Sequence, residues 1–170
     1  MIQGKQHYSK VKTRIEGMAR IAESVHSPLL FRNSESIGQD NLPEKLEESK
    51  IPDGLKLFLT EMDRKLNILL QLHSIKKLED SYPVKIDIRE ISGEGIDFIP
   101  DRPIAENQIL EVILILEQMP IKTAGAKGFA QKKGDIWHLD FNNIRENDQE
   151  LIIQFVFSEQ RELIRAQKNI

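Results

Sequence analysis

A chain of 170 residues with 39% apolar side chains is long enough for one hydrophobic core and too short for two ordinary domains, so one domain carrying an insertion is expected. Charged residues make up 30% and the formal net charge is -3, which predicts a soluble protein without the field that holds a nucleic-acid polymer or an anionic membrane, so any basic site must be local. The absence of cysteine removes a disulfide framework, thiolate zinc ligation and a cysteine nucleophile together; with no apolar window approaching the ~18 residues of a membrane span and no apolar leader after Met1, a cytoplasmic location is the default.

The stretch of about residues 5–28 carries Lys5, Lys10, Lys12, Arg14 and Arg20 against Glu16 and Glu23, a local excess of three positive charges. Val11, Thr13 and Ile15 alternate with Lys10, Lys12 and Arg14, which predicts a half-buried strand with its basic side outward. A helix competes, because Ile15, Met18, Ala19 and Ala22 also fit a helical stripe. Pro28, Asn33, Ser34, Gly38 and Pro43 then mark a connection rich in breakers.

A short helix is expected near Glu44–Ser49 and a long one over roughly 53 to 78, with Pro52 at its start, where a missing N–H costs nothing. Leu55, Leu59, Met62, Leu66 and Leu69 follow a 4-3-4-3 spacing, and Phe58, Ile68, Leu72 and Ile75 widen the apolar face. Such a face either packs on the rest of the domain or joins helices of symmetry mates in a short bundle.

From Pro83 to about Asn142 the pattern is β-rich. Val84, Ile86 and Ile88 alternate with Lys85, Asp87 and Arg89. A turn at Ser92-Gly93-Glu94-Gly95 leads into Ile96 and Phe98, and Ile109–Leu116 (ILEVILIL) is an apolar run of strand length. Two further strands flank Lys132-Lys133-Gly134. Strands joined by short turns without intervening helices predict an antiparallel barrel or sandwich. A terminal helix over about Glu146–Lys168 has Leu151, Ile152, Phe155, Val156 and Leu163 for its inner face.

Catalytic patterns find little support. His7, His26, His73 and His138 have no metal-ligating spacing, and Ser92 lacks the G-x-S-x-G elbow and a neighbouring base. Phosphate-loop and dinucleotide fingerprints are missing. Lys127-Gly128-Phe129-Ala130 matches only a fragment of an RNA-recognition strand. What remains is a combination: the turn Glu90-Ile91-Ser92-Gly93-Glu94-Gly95 with a carboxylate, a hydroxyl and glycines, and the cations Lys10 and Arg14 four apart upstream. Two cations facing a hydroxyl and open backbone N–H groups would form a small anion site. Ordinary turn chemistry is the competing account, with Gly95 serving a positive φ and Ser92 bonding its own backbone.

The turn resembles the [D/N]-x-S-x-x-G motif of PilZ domains, and Lys10-Val11-Lys12-Thr13-Arg14 stands where that family has R-x-x-x-R. The terminal helix contains Gln160-Arg161-Glu162, similar to the family's Q-R-E closing helix. The resemblance covers residues 5–28 and 83–166. It implies an α+β, mainly β fold: a six-stranded antiparallel PilZ-like barrel whose first strand lies in residues 5–28, a helical insertion at 29–82, and the remaining strands and closing helix at 83–170. It also implies a non-enzymatic bacterial receptor or adaptor binding cyclic di-GMP through Lys10, Arg14, Arg89, Glu90, Ser92 and Gly95. A protein partner is implied as well, with no cofactor, and homo-oligomerisation through Leu55, Leu59, Met62, Leu66 and Leu69. Two departures weaken the ligand expectation. Lys10 lacks the planar fork of arginine, and Glu90 adds a methylene to the expected Asp or Asn. At about 1–3 kcal/mol each, they lower affinity by ten- to several thousand-fold, and a scaffold that has lost the nucleotide is the alternative.

Overall fold

The computed structural model describes residues 8–31, 42–118 and 121–169. Lys5, His7, Asn33, Ser34 and Gly38 of the sequence reading lie outside them. The chain divides into two compact units, one of Met1–Arg32 with Ser81–Ile170 and one of Asn33–Asp80.

The first unit is built on strands β1 (Lys10–Ile21), β2 (Val84–Ser92), β3 (Gly95–Pro100), β4 (Ile109–Gln118), β5 (Ile121–Lys133) and β6 (Ile136–Asp140). Every neighbouring pair is antiparallel. The order β4-β1-β2-β3-β6-β5 closes through a β4–β5 pairing, so six strands form a ring as expected, and a two-residue strand β7 (Asn143–Ile144) pairs with β5 at Ala126 and Lys127. The strand reading of residues 10–15 holds over its helical competitor. β1 also runs further than the alternation predicts, because it pairs with β2 along one edge and β4 along the other, which buries Gly17, Met18 and Ala19 consecutively.

Alternation in β2 has its predicted sense: Val84, Ile86 and Ile88 join a buried core with Phe98, Leu110, Val112 and Leu139. The apolar run of β4 has a different cause. Leu110, Val112 and Leu114 face this core, while Glu111 and Ile113 on the other face are equally buried. Residues 22–31 are hydrogen-bonded over that second face, so β4 has cover on both sides and reads as continuous rather than alternating.

The C-terminal helix α3 (Glu146–Lys168) contributes Ile152 and Val156 to the core, with Leu151 and Phe155 packed beside them. Leu163, expected on its inner face, is 49% exposed. The buried face ends at Val156, and from Arg161 onward every described residue of α3 is exposed.

The second unit contains α1 (Leu42–Glu47) and most of α2 (Asp53–Ser81). The Pro52 carbonyl accepts from the Leu55 and Lys56 amides, opening α2 where the missing proline N–H is harmless. No residue of α2 is buried. Leu55, Met62, Leu66 and Leu69 are exposed and Leu59 is half-buried. The other half-buried positions are Lys56, Thr60, Asp63, Asn67 and Gln71 together with Ile68, Ile75 and Leu78, a side of mixed polarity that lies roughly a third of a turn round the cylinder from the seam.

Candidate functional site at the beta2-beta3 turn

The ladder between β1 and β2 sets the site. Lys10 pairs with Ser92, Val11 with Ile91 and Lys12 with Glu90. Between Lys12 and Ile15 the register shifts, because β1 advances three residues while β2 advances two. Thr13 and Arg14 therefore share Arg89 as their opposite number, a bulge that sets Arg14 three ladder positions from Ser92. β2 and β3 carry a second irregularity between Ile88 and Glu90, again at Arg89. Lys10 and Lys12 are thus brought beside the motif turn, and Arg14 is carried along the strand toward Arg89. Arg89 is not a free cation: its guanidinium is 2.7 Å from Asp87 Oδ2.

Ser92 and Gly95 pair across a two-residue turn, Gly93-Glu94. Ser92 is 3% exposed; its Oγ accepts from the Glu94 amide at 3.1 Å and donates to the Gly95 carbonyl at 3.5 Å. The N–H expected to be open to an anion is therefore occupied at Glu94. Gly95 has no positive φ, against the turn-chemistry expectation. Its requirement is space: a Cβ there would fall 2.5 Å from the Leu139 carbonyl oxygen of β6. At Gly93 a Cβ would meet the Tyr8 ring at 2.9 Å and Ile153 of α3 at 3.1 Å, and the Gln149 side-chain amide donates to the Gly93 carbonyl at 3.0 Å. Tyr8 and α3 thus cover the turn from outside.

Beside the turn, the register lays a polar row across five strands. Lys12 of β1 pairs with Glu90 of β2, Glu90 with Asp97 of β3, Asp97 with His138 of β6 and His138 with Gln131 of β5. His138 sits between two carboxylates, with Nδ1 2.5 Å from Asp97 Oδ1 and Nε2 2.8 Å from Asp140 Oδ1. A neutral imidazole has one N–H, so the imidazolium alone donates to both. Burial pushes the Asp97 carboxyl up. Hydrogen bonding with His138 and Glu90 and the charges of His138 and Lys10 outweigh it and hold the carboxyl below its ordinary value. The face beside Lys10 and Lys12 is therefore of mixed sign, with Glu90 paired to Lys12 and Asp97 within the field of Lys10.

Sequence reasoning missed Asp97, His138 and Asp140: the last two are neighbours on one face of β6, and the β3–β6 register brings Asp97 to them. It also missed Glu111 and Lys127, both 0% exposed and 3.8 Å apart. A buried Lys127 cannot meet a phosphate backbone, so the fragmentary likeness to an RNA-recognition strand carries no function. Among the described residues no group of three His, Asp or Glu side chains is arranged to hold a metal ion, and no helix is long and apolar enough to cross a membrane.

No family model matches the chain, and no curated protein matches it. Among solved structures it is similar to the Bacillus subtilis inhibitor of motility MotI/DgrA, with 12% identity and a TM-score of 0.48, over 95% of this chain and 53% of that one. This chain spans about half the length of that protein. It is also similar to a pathogenic protein from Xanthomonas campestris, described as a tetrameric PilZ domain self-assembled via a helical bundle. There the identity is 16% and the TM-score 0.50, over 94% of this chain and 92% of that one. The second likeness shows the fold alone: the six-stranded antiparallel ring has the fold of a PilZ domain.

Proposed function

We propose that this PilZ-like domain is a non-catalytic module that assembles with copies of itself through α2. The observation that carries this reading is that α2, a helix with no buried residue, leaves Leu55, Met62, Leu66 and Leu69 of its 4-3-4-3 seam exposed. Burying one such leucine or methionine stabilises by about 1.5–3 kcal/mol, so a seam of this length gains from a partner. The 4-3-4-3 spacing suits a second copy of the same seam, because knobs and holes on like helices then share one period. The helical bundle described for the Xanthomonas campestris protein supports the same occupant. Light scattering on the full-length protein tests the reading: a dimer or larger species is expected, and a monomer at all concentrations up to hundreds of micromolar would reject it.

A second reading concerns the ring. Lys10 opposite Ser92 and Lys12 opposite Glu90 favour cyclic di-GMP as a ligand of this end of the domain, read by the assembly as a signal. Lysine in place of the first arginine, an occupied turn amide and adjacent carboxylates make the expected binding weak. Calorimetry with cyclic di-GMP tests it, and a flat titration at millimolar ligand would reject it.

A further inference from the structure

We infer that Glu111 is a clip that fixes both stems of the helical insertion to strand β4, so that a disturbance at one stem is felt at the other through the ring. The stems are Leu30–Phe31, just ahead of the insertion, and Tyr82, just after it; both belong to the same compact unit as β4.

An ionised carboxylate offers about four acceptor positions, and four donors converge on Glu111. Oε1 accepts from the Arg20 guanidinium at 3.1 Å and the Leu30 amide at 3.2 Å. Oε2 accepts from the Phe31 amide at 3.4 Å and from the Tyr82 hydroxyl. Each oxygen thus holds one donor from the leading stem, and the second donor on Oε2 comes from the trailing stem. Arg20 also lies 5.8 Å above the centroid of the Tyr82 ring, bracing the two against each other.

The clip is seated on a row of paired residues that runs across the sheet, Arg20 with Glu111, Glu111 with Lys127 and Lys127 with Asn143. Lys127 Nζ donates to the Ser27 carbonyl at 3.0 Å and Oγ at 2.8 Å, and Asn143 Nδ2 donates to the Val25 carbonyl at 2.9 Å. Side chains therefore hold an irregular strap where a strand ladder would otherwise do so. With Glu111 fully buried, loss of any one donor leaves a carboxylate acceptor position that water does not refill, and the remaining bonds readjust. Coupling between stems far apart in the chain follows from this shared acceptor alone and holds whether or not α2 assembles copies.

Amide hydrogen exchange on the full-length protein decides the matter. Tyr82→Phe removes one donor from the trailing stem and keeps the ring over Arg20. Exchange at Leu30 and Phe31 is expected to rise about tenfold, the equivalent of one hydrogen bond, while amides of the β2–β3 hairpin keep wild-type rates. Glu111→Gln, which replaces an acceptor by a donor, is expected to loosen the same two amides further. Wild-type exchange at Leu30 and Phe31 in Tyr82→Phe would overturn the inference, as would a rise shared equally by the hairpin. Should Glu111→Gln fail to fold, the tyrosine variant decides alone.

Discussion

Lys10 lies directly across the β1–β2 ladder from Ser92. This pairing, and not the proximity of Arg14, puts a cation beside the motif turn, because the bulge at Thr13-Arg14 uses the intervening residues to reach Arg89. Under the nucleotide reading Lys10→Ala should weaken cyclic di-GMP binding about tenfold, the worth of one charge-assisted contact. Arg14→Ala should do so by less. Calorimetry checks the ranking, and a larger loss at Arg14 would mean that the ligand follows the bulge instead.

Gly95 makes a sharper prediction. Its virtual Cβ meets backbone atoms of β6, the Leu139 oxygen and the Asp140 Cα at 3.3 Å, and neither is the movable end of a side chain. Gly95→Ala must therefore separate β3 from β6 and should destabilise by about 1–3 kcal/mol, as overpacking in a closed core does. Urea unfolding measures the loss. Wild-type stability in this variant would show that the β3–β6 ladder yields more easily than the register implies.

The Asp97–His138 pair makes stability depend on pH. Hydrogen bonding and nearby positive charge leave the Asp97 carboxyl below its ordinary value, despite burial acting the other way. A depressed folded-state value means that the stabilisation is complete above the unfolded value of about 3.9 and disappears as pH falls through the folded one. Asp97→Asn should therefore lower the urea midpoint at neutral pH and have progressively less effect below about pH 4. A deficit that stays constant into acid would place the stabilisation elsewhere.

What was legible in the sequence follows from the range of the forces involved. The alternation Val84-Ile86-Ile88, the helical spacing from Leu55 to Leu69 and the proline before α2 are local signals, and each element appears where its pattern predicts. Bulges are not local: the shift at Thr13-Arg14 becomes visible only once β1 is laid against β2. The Asp97–His138 contact likewise depends on a register between strands about forty residues apart. One signal was available and went unused. Glu111 interrupts the apolar run ILEVILIL, and a carboxylate inside a strand covered on both faces requires buried donors. Its partners, Arg20, Tyr82 and Lys127, could not be named from the chain, but their existence could.

The orientation of α2 yields a final prediction, because the same helix carries its own control. Leu66 and Leu69 belong to the exposed seam, and a carboxylate at either would have to be buried in any bundle formed through that seam, at a cost of several kcal/mol per charge. Leu66→Glu and Leu69→Glu should therefore convert the assembly to monomers in light scattering. Gln71 is half-buried and lies away from the seam around the helix, so Gln71→Glu adds the same charge to the same helix without meeting the seam. It should leave the assembly intact. Far-ultraviolet circular dichroism should report equal helix content in all three variants, because glutamate is itself a good helix former. Dissociation by Gln71→Glu as readily as by Leu66→Glu would mean that charge on α2, rather than burial of the seam, governs assembly, and the second copy would then have to seat elsewhere.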